Sequence, residues 1–448
     1  MKNLWLNPFI LLTSMLMFSA PAASREPPEP KDSGDPLIAK GRELFFHETF
    51  DGNGRTCGTC HRAENNLTLD PEFIATLPDD DPLFVAEYVP ALMENFENPK
   101  LMREFGLIMV NADGFDDLPN QFTMRSVPHV FAQKLSMNSP QGQPHTGLGW
   151  SGDGAPDDGS LRSFATGAVR QHFTKTTQRR EGVDFRLPTD EELDALEAFQ
   201  LSLGRQEELA LPLPLKSEVA LQGQDIFQNE GQCSLCHVNA GANNALDDSE
   251  AGNLNFNTGV EDMPDQPRDL SGEFYPPDDG AGTPGNGEFN TPSLVEAADT
   301  PPFFHNNSAK TLEEAVEFYN TSAFTDSPAA QRVNFENLDA EQVIAVSAFL
   351  RVINVLHNIR EVNAMLGAVS RNEYLAGEHP NDLVKRAVFD IDDAIKVLSD
   401  SALHPKAITF LKKARGFILE AANKPASRIK LARKAIANIN NAKRQLIK

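Results

Sequence analysis

Two short stretches hold every cysteine of the 448-residue chain: Cys57-Gly-Thr-Cys60-His61 and Cys233-Ser-Leu-Cys236-His237. Two thiols and an imidazole within five positions suit zinc ligation, dithiol redox exchange, or the anchoring of a cofactor. A zinc ribbon sets two such pairs roughly 15–20 residues apart, whereas 172 residues lie between Cys60 and Cys233. A thioredoxin-like dithiol needs a βαβ setting, which neither copy has, and no obligatory histidine; a disulfide staple predicts no histidine either. C-x-x-C-H is the attachment pattern of c-type haem, in which both thiols add to vinyl groups and the adjacent histidine reaches the iron. Two covalently bound haems are therefore expected, one on Cys57 and Cys60 with His61 as proximal ligand, the other on Cys233 and Cys236 with His237.

The elements that must position these residues are partly repeated. Leu37, Ile38, Leu44 and Phe45 recur at helical intervals before the first motif, and "DGNGRT" then supplies a turn. Asp51, Asn53 and Gly54 resemble the start of a calcium loop, but the later ligands of that pattern are missing and a plain turn is expected. The stretch "GQDIFQNEGQCSLCH" repeats the order of "GRELFFHETFDGNGRTCGTCH", an internal duplication. Residues 240–300 are rich in Gly, Pro, Asp and Asn and predict long loops with little sheet. From about 338 the chain turns helical, with Val384, Val388, Ile391, Ile395 and Leu398 on one face and Ile429, Ala432, Ile436 and Ile439 on another. The expected fold is mainly α: two cytochrome c-like haem domains with long loops (37–210 and 211–357) and a C-terminal three-helix extension (358–448).

Lys2, the apolar run 9–18 and the small residues around Ala20 and Ala22 read as a signal peptide over 1–23, followed by a Pro-rich leader over 24–36. The run is shorter than the ~20 residues a bilayer span needs, so export to a bacterial periplasm without a membrane span is expected. The formal net charge is −24, but residues 401–448 hold 12 Lys and Arg against Glu420 alone. The first 400 residues are thus strongly acidic, which excludes nucleic acid as a partner of the main body and suits a basic redox protein.

The order of the two motifs, together with "NFNTGV" (255–260), "FNTPSL" (289–294) and "DTPPFFHNNSAKTLEEAVEFYN" (299–320), resembles the bacterial di-haem cytochrome c peroxidase and MauG family over roughly residues 36–355. The resemblance implies hydrogen peroxide-dependent oxidation, with electrons drawn from a small redox protein or from a protein substrate. It also implies that Tyr319 is the distal ligand of the second haem, where ordinary peroxidases carry Met and MauG-like members Tyr. A phenolate favours ferric and higher states; the alternative is a helix-face core residue. The nearest methionine in this half is Met263.

Ordinary members take a distal histidine soon after the first motif, but residues 62–128 contain none. That iron is either open or bound by His129, His145 or His172. His172 lies in "FATGAVRQHF", which resembles the segment where the family keeps its peroxide-handling Gln and Glu; Phe164 and Thr174 stand in those places. His172 could act as general acid and base or ligate iron, and Gln171 could orient peroxide. Trp150 in "LGWSGDG" corresponds to the family's inter-haem Trp, a candidate relay. Thr300 and Pro302 match two family calcium positions, although Ser126 stands where Asn is expected. The competing reading is a non-catalytic electron-transfer cytochrome with both irons six-coordinate. A docking role for the last ~90 residues and a homodimer are further candidates.

Overall fold

The computed structural model describes residues 34–137, 160–246, 252–281 and 285–448. The expected signal peptide, most of the leader, His145 and Trp150 lie outside the described residues. The chain is mainly helical, with three two-stranded antiparallel pairs as its only sheet among the described residues.

The first half opens with α1 (Pro36–His47), which starts because Asp35 accepts the Leu37 amide and Pro36 occupies the first turn. After a turn with Phe50 and Asp51 at positive φ, the first motif forms the one-turn helix α2 (Cys57–Cys60). Strands β1 (Leu107–Val110) and β2 (Thr123–Ser126) pair with Leu107 opposite Ser126. Helix α3 (Leu161–His172) follows, and α4 (Asp190–Gln200) closes the half behind a Thr189/Glu192 capping box. The second half repeats the plan: α5 (Glu218–Gln228) leads into a single turn at Cys233–Leu235. Short pairs β3 (Asn243–Asn244) with β4 (Gly252–Asn253), and β5 (Asn255–Phe256) with β6 (Phe289–Asn290), brace the loops the composition predicts. Helix α6 (Leu312–Glu317) then precedes the long helix α7 (Ala340–Arg371).

The duplication extends to the atoms of the helix crossings. In the first half α1 crosses α4 where Gly41 meets the Ala195 carbonyl; an added Cβ would lie 1.8 Å from that oxygen. In the second half Gly223 meets the Ala345 carbonyl of α7 at the same 1.8 Å. Four residues beyond each partner stands a phenylalanine, and both pairs, Phe45 with Phe199 and Phe227 with Phe349, set their ring centroids 5.3 Å apart. One Gly–Phe helix thus docks on one Ala–Phe helix twice, immediately before each C-x-x-C-H turn.

The expected boundary at 357/358 falls inside α7, which is continuous over 32 residues. Its first part closes the second half; its later turns pack with α8 (Pro380–Asp400) and α10 (Arg428–Leu446), and α9 (Pro405–Asn423) packs against those two. The predicted three-helix extension is therefore three parts of a four-helix bundle. Val384, Ile391 and Leu398, and Ala432 with Ile439, face its core. Helix α7 is long and apolar enough to cross a membrane, but 78% of its most apolar window is buried within the protein. The bundle is tied back to the linker, where the Lys216 amide donates to the Leu446 carbonyl at 2.9 Å and the Lys448 amide to Pro214 at 2.8 Å.

Halves and bundle meet at a buried polar junction. Asn66 of the first half donates to the Asp299 carbonyl and to Asp393 of α8. The Asp299 carboxylate accepts from Asn354 and Asn358 of α7, both at 2.7 Å. Beside it, Glu296, 1% exposed, faces His357 Nε2 at 3.5 Å. Burial, reinforced by Asp299, pushes the Glu296 carboxyl up to about 8, and burial pushes His357 down to about 3. The contact is therefore a carboxylic acid against a neutral imidazole rather than an ion pair.

Two predictions follow from this architecture. Gly223→Ala should destabilise the protein by about 3 kcal/mol, because a backbone carbonyl rather than a flexible side chain must give way; guanidinium denaturation measures it, and an unchanged midpoint would refute the close crossing. Between pH 4.5 and 8 the unfolded chain loses the Glu296 proton while the folded protein keeps it, so stability falls as pH rises through that window. Glu296→Gln should reduce that fall by an amount on the order of a few kcal/mol; equal losses for variant and wild type in denaturation at pH 5 and pH 8 would exclude it.

Candidate haem centres

At the second motif, the turn that carries Cys233 and Cys236 sets His237 so that its Nδ1 faces the Pro292 carbonyl at 3.0 Å and the Gly241 carbonyl at 3.3 Å. Carbonyls only accept, so Nδ1 carries the proton and Nε2 keeps its lone pair for a metal. Burial pushes Cys233 up to about 12 and Cys236 to about 11, holding both as thiols, and lowers His237 to about 4, holding it neutral. These residues line an apolar cavity of about 390 Å³, and Tyr319 lines the same cavity. Tyr319 belongs to the 3-10 turn after α6, wedged among Phe324, Phe318 and Phe335 at centroid distances of 4.7, 5.2 and 6.4 Å. Burial, with Cys233 and Cys236 nearby, raises its phenol far above the usual range. Met263 packs in the same apolar cluster as Tyr319 and Cys236 but does not line the cavity.

One polar group on this cavity escaped the sequence reading. His305 stacks on Phe289, 3.7 Å between centroids and 7° between planes, and its Nε2 lies 2.8 Å from Glu261. It stood inside the quoted "DTPPFFHNN" stretch, and its place after an aromatic pair was the available signal. Thr300 and Pro302 also line the cavity. The Thr300 hydroxyl donates to the Glu296 carbonyl at 3.0 Å and that of Ser126 to the Phe304 carbonyl at 3.1 Å. Among the described residues no cluster of three His, Cys, Asp or Glu could hold a metal ion.

The first motif repeats the proximal arrangement: His61 Nδ1 faces the Leu67 carbonyl at 2.9 Å, so Nδ1 carries the proton as at the second motif, and burial keeps the imidazole neutral. Cys57 is pushed up to about 12 by burial, and Cys60 is raised as well. The surroundings differ from those of the second site. His172 ends α3, whose last turn is tied to the turn before the motif by Asn53, which donates to the His172 and Thr174 carbonyls at 3.0 and 2.9 Å. Burial, then Arg55 and Arg179, then His61 push His172 down to about 3. Its imidazole is thus neutral and close enough to feel His61, able to accept a proton or offer a lone pair. Gln171 is engaged elsewhere: its Oε1 accepts the Asn111 amide at 3.0 Å and its Nε2 donates to Asn111 Oδ1 at 3.1 Å, which braces the end of β1. His129, lowered to about 4 by burial and then by His61, also lines the second cavity.

Two thiols and a tautomer-fixed imidazole at each motif, with an apolar cavity at the second, fit the chemistry of a c-type haem. No protein-family model and no curated protein matches the chain. Among solved structures, a MauG-like protein associated with microbial copper homeostasis aligns over 74% of this chain and 94% of its own, at 18% identity and a TM-score of 0.41. At that score the likeness is loose, and the reading of the site rests on the residues themselves.

Proposed function

We propose that the chain is an exported di-haem c-type cytochrome that carries out hydrogen peroxide-dependent oxidation in the manner of the cytochrome c peroxidase and MauG family. What supports this reading is the repeated unit: the same helix crossing accompanies a thiol pair and a histidine with its Nδ1 on a backbone carbonyl twice, and the second copy lines an apolar cavity that a phenol also lines. Bound haem supplies iron-centred electron transfer and, where a coordination position is open, a place for peroxide.

The chain's own residues divide the remaining work. The cysteines would hold each haem covalently, and His61 and His237 would be its iron ligands. Tyr319 is the candidate distal ligand of the second site, an anionic donor once its proton is lost. His172, neutral in its cationic surroundings, is a candidate proton acceptor for the first site. The acidic body suits a small basic redox protein as electron donor, and the periplasm is the proposed location. A non-catalytic electron-transfer cytochrome is the second reading, favoured by one observation: a neutral His172 near His61 has a lone pair to bind iron.

Titration of the diferric protein with hydrogen peroxide, followed by EPR and optical spectroscopy, separates the two. A high-spin haem whose signal changes with peroxide is expected; two low-spin haems indifferent to peroxide would leave only electron transfer. Tyr319→Phe should alter the second haem's spectrum alone, and an unaltered spectrum would remove Tyr319 from the ligands.

A further inference from the structure

Beside the first motif lies a buried set of charges that does not balance. Arg55, next to the motif, is fully buried; it pairs with Glu97 at 2.9 Å and donates to the carbonyls of Pro82 and Leu83. The second oxygen of Glu97 accepts the Met109 amide at 2.8 Å. Arg179, 9% exposed, makes no ion pair among the described residues. Its polar contacts are long: 3.4 Å to the Thr177 carbonyl, to Asn111 Oδ1 and to the Gln171 carbonyl, while Nε has no partner at all. Its guanidinium lies over the Phe115 ring at 4.2 Å, and its backbone holds a positive φ of 51°. The neighbouring Arg62 is matched by Asp81, whereas two guanidinium groups, Arg55 and Arg179, have only the carboxylate of Glu97 near them. Arg179 is lowered to about 10, mainly by burial, and stays charged at neutral pH. A buried cation without a charged partner is destabilising, and Arg is the side chain whose fork matches a carboxylate.

We propose that Arg179 is the receptor for a carboxylate at the first site, with Asn111 and Gln171 positioning its fork. Two sources share this chemistry: a propionate of the haem on Cys57 and Cys60, and a small free carboxylate that enters beside it. The first source rests on the haem reading; the second does not.

The full-length protein as purified, its Arg179→Gln variant and its Arg179→Lys variant test this together. If a haem propionate pairs with Arg179, the first haem's reduction potential is flat over pH 5–9 in wild type and acquires a pH dependence in Arg179→Gln, where the freed carboxylate titrates. If a free carboxylate is the ligand, acetate stabilises the wild type saturably in thermal denaturation, and Arg179→Gln weakens that binding at least tenfold. Arg179→Lys keeps the charge but loses the fork, so an intermediate effect in either arm supports the site even if Arg179→Gln fails to fold. The proposal is overturned if acetate leaves the wild type unchanged and the variants keep its pH profile, or if Arg179→Gln merely raises thermal stability, the mark of an unpaired cation. A chain that carries no haem sinks the haem reading, while the acetate titration still decides the role of Arg179.

Discussion

The fold depends on a backbone-to-backbone approach that only glycine permits. At Gly41 and again at Gly223 a neighbouring helix brings an alanine carbonyl into the volume a side chain would fill. The elements that carry the cysteines are one-turn structures, too short to be stable alone. Their geometry is imposed by the helix that leads into them, and that helix is held by the crossing and its paired phenylalanine rings. The reactive residues are thus placed by contacts among residues that do no chemistry.

On this shared frame the two sites are electrically different. Both keep their thiols protonated and their proximal histidines neutral through burial, and both direct the Nδ1 proton to a backbone carbonyl. Around the first lie three guanidinium groups, Arg55, Arg62 and Arg179, against the carboxylates of Glu97 and Asp81; around the second lie a phenol, several phenylalanine rings and the matched pairs His305–Glu261 and Arg125–Asp278. A cationic surround stabilises an electron-rich occupant, whereas a phenolate stabilises an oxidised metal. The two scaffolds are alike, and the residues around them differ.

The cysteine motifs, the duplicated order and the amphipathic helices were legible because each is local in the chain. The glycines of the crossings were visible in the parallel "GRELF" and "GQDIF", but their partners Ala195 and Ala345 lie far along the sequence and carry no mark of their own. Gln171, adjacent to His172, seemed available for ligand, and only the fold brings Asn111 to occupy its amide. Periodicity could not show a break at 357/358 because the helix has none there. The imbalance around Arg179 was hidden for the same reason, since charges that share a partner are counted in space. Tyr319 was readable from its segment, and its position on the His237 cavity belongs to the tertiary structure.

Helix α7 is both the closing wall of the second site's domain and a member of the bundle. An unbroken helix of 32 residues is a rod of about 48 Å, stiff along its length. It acts as a ruler: whatever engages the lysine-rich outer faces of α9 and α10 is held at a set distance and angle from the His237 cavity, without a hinge within the rod to soften the register.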